Sequence, residues 1–358
     1  MVIALMPRVA SAQARVIEIG SEPTCPRCEL ELTRVATLGR ETDAHLMDRY
    51  GTASRDSRGL YYVARMATPG VFGVYDSTGV LLRTIGNQGE GPGEFGRNVS
   101  SIHVGPGDTV YAFDTQLGRA SVWGPDLELV RTVRYLRGTV GYVIFSNGTM
   151  VIQALSYDPA RMGLPLHVLE PDGTIVRSFG AVEHLHVSRE TEMNGFRAVA
   201  PVRDHPARVW SARRNAYTIE QWDTTGRHLL TIVRRPDWFE PWLEPRRSTH
   251  PEPPKPYLSE VWEDSLGRLW VWILVADPRW EAWRPGARVR TDEEQHDVIL
   301  EIIDPAAGRL LASIRTPGPL HRMLEDGLSM TERQDESGYV FKDIWRVSIR
   351  EPSRPRPY

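Results

Sequence analysis

Only two of the 358 residues are cysteine, neither charge sign dominates, and no apolar run is long. Each shortage excludes something. The 43 Lys and Arg stand against 46 Asp and Glu, a net charge of -3 with no long block of like charge. A face able to neutralise a row of phosphates is therefore missing, which argues against nucleic-acid binding. No apolar stretch approaches the roughly 18 residues of a bilayer-spanning helix, so no transmembrane segment is expected. The chain has no G-x-S-x-G elbow, no H-E-x-x-H and no P-loop, so the familiar hydrolase and nucleotide signatures are absent. Helical periodicity is nowhere sustained. What is present is 41% hydrophobic and 25% charged, ordinary globular composition with ample material for a core.

The two cysteines form one Cys25-Pro-Arg-Cys28. A single C-x-x-C supplies two thiolates where a structural zinc needs four ligands, and a thioredoxin-like site needs a βαβ context that is absent. The first reading is a local disulfide between Cys25 and Cys28 in an exported chain; free thiols and metal ligation are the other readings. The start of the chain bears on this choice. Residues 1–14 are apolar and end on Ala12-Gln13-Ala14, the small-x-small pattern of a signal-peptide cleavage site. The basic n-region is missing and Pro7-Arg8 interrupts the apolar part. The segment reads as a truncated signal peptide or as an unstructured tail, and the expected location is secreted or periplasmic.

One pattern recurs along the chain: a turn rich in Gly, Asp or Pro, then an apolar strand with a hydroxyl near its end. The copies are STGVLLRTIG (77–86), PDLELVRTV (125–133), PDGTIVRSFG (171–180), TTGRHLLTIV (224–233) and AAGRLLASIR (306–315), with LTRVATLG (32–39) a sixth that lacks the full turn. The aligned hydroxyls are Thr37, Thr84, Thr132, Ser178, Thr231 and Ser313, in steps of 47, 48, 46, 53 and 82 residues. Each step has room for four short strands. In the second unit these are 99–104, 109–114, 119–123 and 127–133, separated by Gly/Pro/Asp turns. A period near 47 with four strands per unit predicts an all-β, six-bladed β-propeller of four-stranded antiparallel blades. The 45 residues after Ser313 hold three strand candidates, 327–333, 339–343 and 345–350, and no fourth. The strand around Thr37 is expected to complete that last blade, closing the ring and removing an exposed edge. The organisation is then 1–14 signal-like, 15–29 an N-terminal segment with the C-x-x-C, 30–350 one propeller, and 351–358 a Pro/Arg-rich tail.

The string GNQGEGPGEFG (86–96), followed by SSIHVGPGDTVYAFD and RASVWGPD, resembles six-bladed propellers related to NHL repeats, over most of residues 30–350. The resemblance implies the fold, and many such proteins are exported bacterial proteins. It implies little about activity, because the shared motifs are strand and turn signals. It also suggests a turn-stabilising role for Asp114. Residues 91–96, GPGEFG, fit the dinucleotide pattern G-x-G-x-x-G, but a phosphate-binding loop must open a helix. Here a strand and a Gly-Pro-Gly turn follow, so no nucleotide cofactor is expected and Phe95 should plug the space between adjacent blades.

In a propeller the first-to-second and third-to-fourth connections lie on one face, and the others lie on the opposite face. The long segments 86–98, 155–165, 181–195, 234–259 and 276–297 all belong to the second set, which marks that face as the binding surface. Residues 234–260 carry Trp238, Phe239, Trp242, Tyr257 and seven prolines, and residues 277–297 carry Trp280 and Trp283. Trp238, Trp242, Trp280 and Trp283 are the candidate ligand contacts, against the alternative that they fold back as a lid. Arg214 and Tyr217 are candidate rim contacts. His103 lies on an inner strand, facing the channel or held in the core. His184 and His186 could supply two metal nitrogens with Glu183, Glu190 or Glu192, the one exception to an expectation of no cofactor. The expected function is an extracytoplasmic binding module presenting these loops to a peptide, glycan or partner protein. The alternative is a metal-dependent hydrolase or lyase with a divalent ion at the channel mouth.

Overall fold

The computed structural model describes residues 14–39, 47–48, 51–136, 139, 141–156, 158–181, 196–243, 251–284, 286–287, 292–317 and 322–351. Its strands form six four-stranded antiparallel blades in chain order. Blade 1 comprises Ala53–Arg55, Tyr61–Val63, Phe72–Tyr75 and Leu81–Ile85; blade 2, Ser101–Gly105, Thr109–Asp114, Arg119–Trp123 and Leu129–Arg134. Blade 3 comprises Gly141–Ile144, Met150–Gln153, Leu166–Leu169 and Ile175–Phe179; blade 4, Arg197–Pro201, Arg208–Arg213, Thr218–Asp223 and His228–Arg234. Blade 5 comprises Tyr257–Glu263, Leu269–Ala276, His296–Asp304 and Arg309–Thr316. Blade 6 takes Arg322–Met323, Leu328–Gln334 and Val340–Arg350, then Glu29–Leu38 from the chain start as its outer strand. The ring is a closed six-bladed propeller. No helix among the described residues is long and apolar enough to cross a membrane, and the first thirteen residues of the signal-like segment lie outside the described residues.

Blade 6 departs from the sequence reading in one respect. The candidates 339–343 and 345–350 are one continuous strand, Val340–Arg350, and the innermost strand is the short Arg322–Met323. The outer partner explains this: Glu29–Leu38 pairs along the whole length, from Glu29 opposite Arg350 to Leu38 opposite Lys342. A break at Ile344 would have sacrificed that ladder.

All six aligned hydroxyls lie on outer strands. Thr37, Thr84, Thr132, Ser178, Thr231 and Ser313 stand opposite Asp343, Gly73, Ser121, His167, Glu220 and Glu301. Three of them bond across that pair: Thr37 Oγ1 donates to Asp343 at 2.5 Å, Ser178 Oγ meets His167 Nδ1 at 2.8 Å, and Ser313 Oγ donates to Glu301 at 3.0 Å. Two residues before each hydroxyl the pairing skips one residue, namely Val35, Leu82, Val130, Val176, Leu229 and Leu311. This repeated bulge turns an extra side chain outward and deepens the twist. It also explains why Val35, Leu82, Val130 and Val176 are exposed although apolar. Five of the tight turns, starting at Asp56, Asp76, Asp223, Asp264 and Asp335, share a D-x-x-G pattern. Asp76 accepts the backbone N–H groups of Thr78 and Val80, and Gly79 adopts φ +90° where a Cβ would stand 2.0 Å from the Thr37 carbonyl oxygen.

Residues 15–28 run along the perimeter. Arg15–Ile19 adds a fifth strand, parallel to His228–Arg234, on the edge of blade 4. Thr24 and Cys25 then donate their N–H groups to Leu310 and Leu311 on the edge of blade 5. A Cys25–Cys28 disulfide follows before the chain enters blade 6. Ile17 and Ile19 are buried in the core shared by blades 4 and 5, so this strap fastens three blades from outside.

Apolar clusters fill the spaces between neighbouring blades. Phe95 is fully buried between blades 1 and 2, edge-on to Phe72 at 6.5 Å. Asp114 accepts from Gln116 and Leu117 in its own turn and from Gly96 N–H at 2.7 Å, tying the glycine-rich crossing to blade 2.

Candidate binding site at the channel mouth

The connections sort onto two faces as strand alternation requires. Those on one side are tight turns such as 56–60, 106–108, 145–149 and 264–268, whereas the other side carries 86–100, 154–165, 235–256 and 277–295. The tryptophans on the loop-rich side divide. Trp242 is buried, donating its indole N–H to the Pro256 carbonyl at 2.6 Å and its backbone N–H to Asn215 at 3.1 Å. It therefore ties Pro256 and the blade 4 hairpin together. Trp238 remains 37% exposed, beside Phe239 and Tyr217 with ring centroids 6.0 and 6.5 Å away. Trp280 and Trp283 are half-buried, the latter donating its indole N–H to Ala287 at 2.9 Å.

Tyr217, expected at the rim, is core. It is 2% exposed, and its hydroxyl donates to Glu301 at 2.5 Å. That carboxylate also takes two bonds from Arg234, at 2.6 and 2.8 Å, in a pocket closed by blades 4 and 5. Burial and the adjacent Glu301 charge hold the phenol well above its ordinary range. Arg214 and Asn215, on the same hairpin as Tyr217, are half-buried. His184 and His186, on which the metal reading rested, lie outside the described residues. Among the described residues no three His, Cys, Asp or Glu side chains gather as a metal site.

The inner strands put a different set of groups at the channel mouth. In Ser101–Gly105 the alternate residues Ile102 and Val104 are buried against blade 1, leaving Ser101, His103 and Gly105 on the opposite face, where His103 meets Tyr142 of blade 3 and a Cβ at Gly105 would meet Ile144. Burial pushes His103 down to about 4, with the charge of Arg322 adding to the effect, so the ring is neutral at physiological pH. His103 lies 5.1 Å from the Tyr142 ring and 5.7 Å from Phe113. The Tyr142 hydroxyl, near those of Ser101 and Tyr135, is raised to about 12 chiefly by burial.

On the opposite wall, the inner strand of blade 5 has a register shift between Leu258 and Glu260, which brings Glu260 toward blade 6. Its carboxylate accepts the Met323 backbone N–H at 2.5 Å. Desolvation raises this carboxyl to about 7, against the lowering influence of the Met323 N–H, Arg322 and Arg214. Arg322 has φ +116°, a conformation that L residues rarely adopt. Strain of this kind costs about 1–3 kcal/mol and persists only where the surroundings impose it. The Arg214 guanidinium lies 5.2 Å from the Tyr257 ring centre, while its carbonyl accepts the Leu258 N–H at 3.1 Å. Neither Arg214 nor Arg322 makes an ion pair among the described residues. Arg214 was legible from its hairpin. Glu260 and Arg322 were not, because one belongs to an ordinary apolar strand and the other to a two-residue strand.

No protein-family model matches the chain, and no curated protein matches it in sequence. Among solved structures, a member of the DUF4221 family from Bacteroides vulgatus overlays with a TM-score of 0.65 at 9% identity, over 92% of this chain and 100% of that one. A Bacteroides fragilis protein predicted to be exported overlays with a TM-score of 0.59 at 12% identity, over 93% and 99%. A streptogramin B lyase reaches a TM-score of only 0.44 at 11% identity, over 90% and 98%, too loose to support an argument about activity. The chain is similar to the first two in fold, and kinship with NHL repeats stays a resemblance of motifs.

Proposed function

We propose that the protein is an extracytoplasmic binding module whose loop-rich face takes a peptide, glycan or partner protein. One observation carries this reading: the long connections gather around a channel mouth whose two guanidiniums have no ion-pair partner among the described residues. Arg322 is exposed and Arg214 half-buried, so both guanidiniums are open to a ligand approaching that face. Export is supported by the Cys25–Cys28 disulfide, which persists in oxidising compartments, and by a fold neighbour predicted to be exported.

The test separates surface from scaffold. Trp238→Ala, Trp280→Ala and Trp283→Ala together should abolish partner capture from the native extracytoplasmic fraction while leaving the melting temperature within a few degrees of the parent. Trp242→Ala should instead lower stability by about 3 kcal/mol, the cost of a large cavity. Undiminished capture by the triple variant removes the loop face from the reading.

A further inference from the structure

The channel mouth holds more positive than negative charge, and this excess specifies a ligand chemistry. Arg214 and Arg322 approach Glu260 closely enough to act on its charge, yet neither comes within ion-pair distance of any described carboxylate. Of the Glu260 oxygens, Oε2 is occupied by the Met323 N–H and Oε1 has no protein partner among the described residues. Glu263, the other acid on this strand, is committed to the Arg203 N–H and the Trp210 indole at 3.0 and 2.7 Å. Near Arg322, Lys342 and Glu332 pair with each other and so add no net charge. Across the channel His103 is neutral and makes no hydrogen bond among the described residues, and Tyr142 keeps its proton. The mouth thus offers two guanidiniums and one carboxyl able to hold a proton.

We propose that this mouth binds the carboxylate of an acidic ligand, held by the Arg322 and Arg214 guanidiniums beside the Glu260 carboxyl. Guanidinium forks match carboxylate geometry, and a protonated Glu260 turns an opposing charge into a donor. The ligand's anion favours the protonated form, so binding takes up one proton from solvent and breaks no covalent bond. This rests on the loop-rich face being the ligand-binding face. The carboxylate could come from a free small acid or from the end of an acidic sugar chain.

Titration calorimetry of the full chain with glutarate, with an oligogalacturonate, and with uncharged glutaramide tests it. At least one acid should bind saturably and the amide should not; which acid binds identifies the source. Affinity should fall about tenfold per pH unit above about 7, as Glu260 ionises. Arg322→Met should weaken binding at least tenfold, with Arg322→Lys intermediate, while Glu260→Gln should bind with no pH slope. Thermal melts of each variant guard against misfolding. Absence of saturable binding by both acids, binding indifferent to Arg322→Met, or a pH slope that survives Glu260→Gln overturns the inference. Should carboxylate binding fail while tryptophan-dependent capture persists, the binding-module reading stands without it. Loss of tryptophan dependence with carboxylate binding intact removes the tryptophan surface instead.

Discussion

Arg234→Met should be among the most destabilising single changes in this chain. The side chains of Arg234 and Glu301 are 3% and 0% exposed, and the guanidinium grips the carboxylate through Nε and Nη2 at 2.6 and 2.8 Å. Methionine keeps the bulk and removes the charge, so Glu301 retains only the Tyr217 and Ser313 hydroxyls at 2.5 and 3.0 Å. Breaking one side of a buried pair costs about 3–5 kcal/mol, because the remaining charge stays desolvated. The third nitrogen donates to the Gly20 carbonyl at 2.6 Å and so holds the perimeter strap, adding about 1 kcal/mol. Together these correspond to a fall of roughly 5–8 °C in melting temperature for a chain of this size. Urea unfolding at neutral pH, followed by tryptophan fluorescence, measures the loss directly. Adding Glu301→Met should restore a substantial part of it, because the uncompensated charge is then gone. A single variant within about 1 kcal/mol of the parent would refute the reasoning, as would a double variant less stable than the single.

Two further outcomes follow from other parts of the fold. The Cys25–Cys28 bridge, at a sequence separation of 3, closes so short a loop that chain entropy allows it about 2 kcal/mol; reductant should lower the parent's melting temperature modestly and leave Cys25→Ser/Cys28→Ser unmoved. Burial alone would raise the Glu220 carboxyl, but Arg197 and Arg213, at 2.6 and 2.7 Å, bring it below its ordinary 4.5. A lowered folded-state value means this stabilisation is present above about pH 4.5 and is lost as pH falls through the folded value. Glu220→Gln should therefore cost stability at neutral pH and flatten the acid arm of the stability profile, which acid titration of both proteins measures.

The repeat was legible because it is local. A D-x-x-G turn closes through its own side chain, and an outer strand announces itself by apolar and β-branched residues with a hydroxyl near its end. GPGEFG was legible for the same reason: the strand after it denied it a helix, and burial of Phe95 between blades 1 and 2 gives it a structural task. The residue before the hydroxyl is Arg83, Arg131 and Arg177 in blades 1–3 but Leu230 and Ala312 in blades 4 and 5. The first three edges face water, where arginine discourages pairing with another chain; the last two are covered by residues 15–28.

The candidate site was much less legible. Tyr217 and Trp242 read as surface residues because they sit in hairpins and proline-rich segments, yet both turn inward to partners in distant sequence: Glu301 lies 84 positions from Tyr217. Glu260 and Arg322 look ordinary in their own strands and acquire meaning only where inner strands of blades 5 and 6 meet.

By itself, then, the amino-acid sequence determined the blade, the number of blades and the closure of the ring, since each depends on short-range turn chemistry repeated at a steady period. Only the tertiary structure decided which polar groups share the channel, which aromatics stay at the surface, and where the N-terminal strap lies. Those outcomes depend on contacts between segments tens to hundreds of residues apart, such as Arg234 with Gly20, a separation of 214. No local pattern encodes which of many equally suitable edges or partners such a segment will meet.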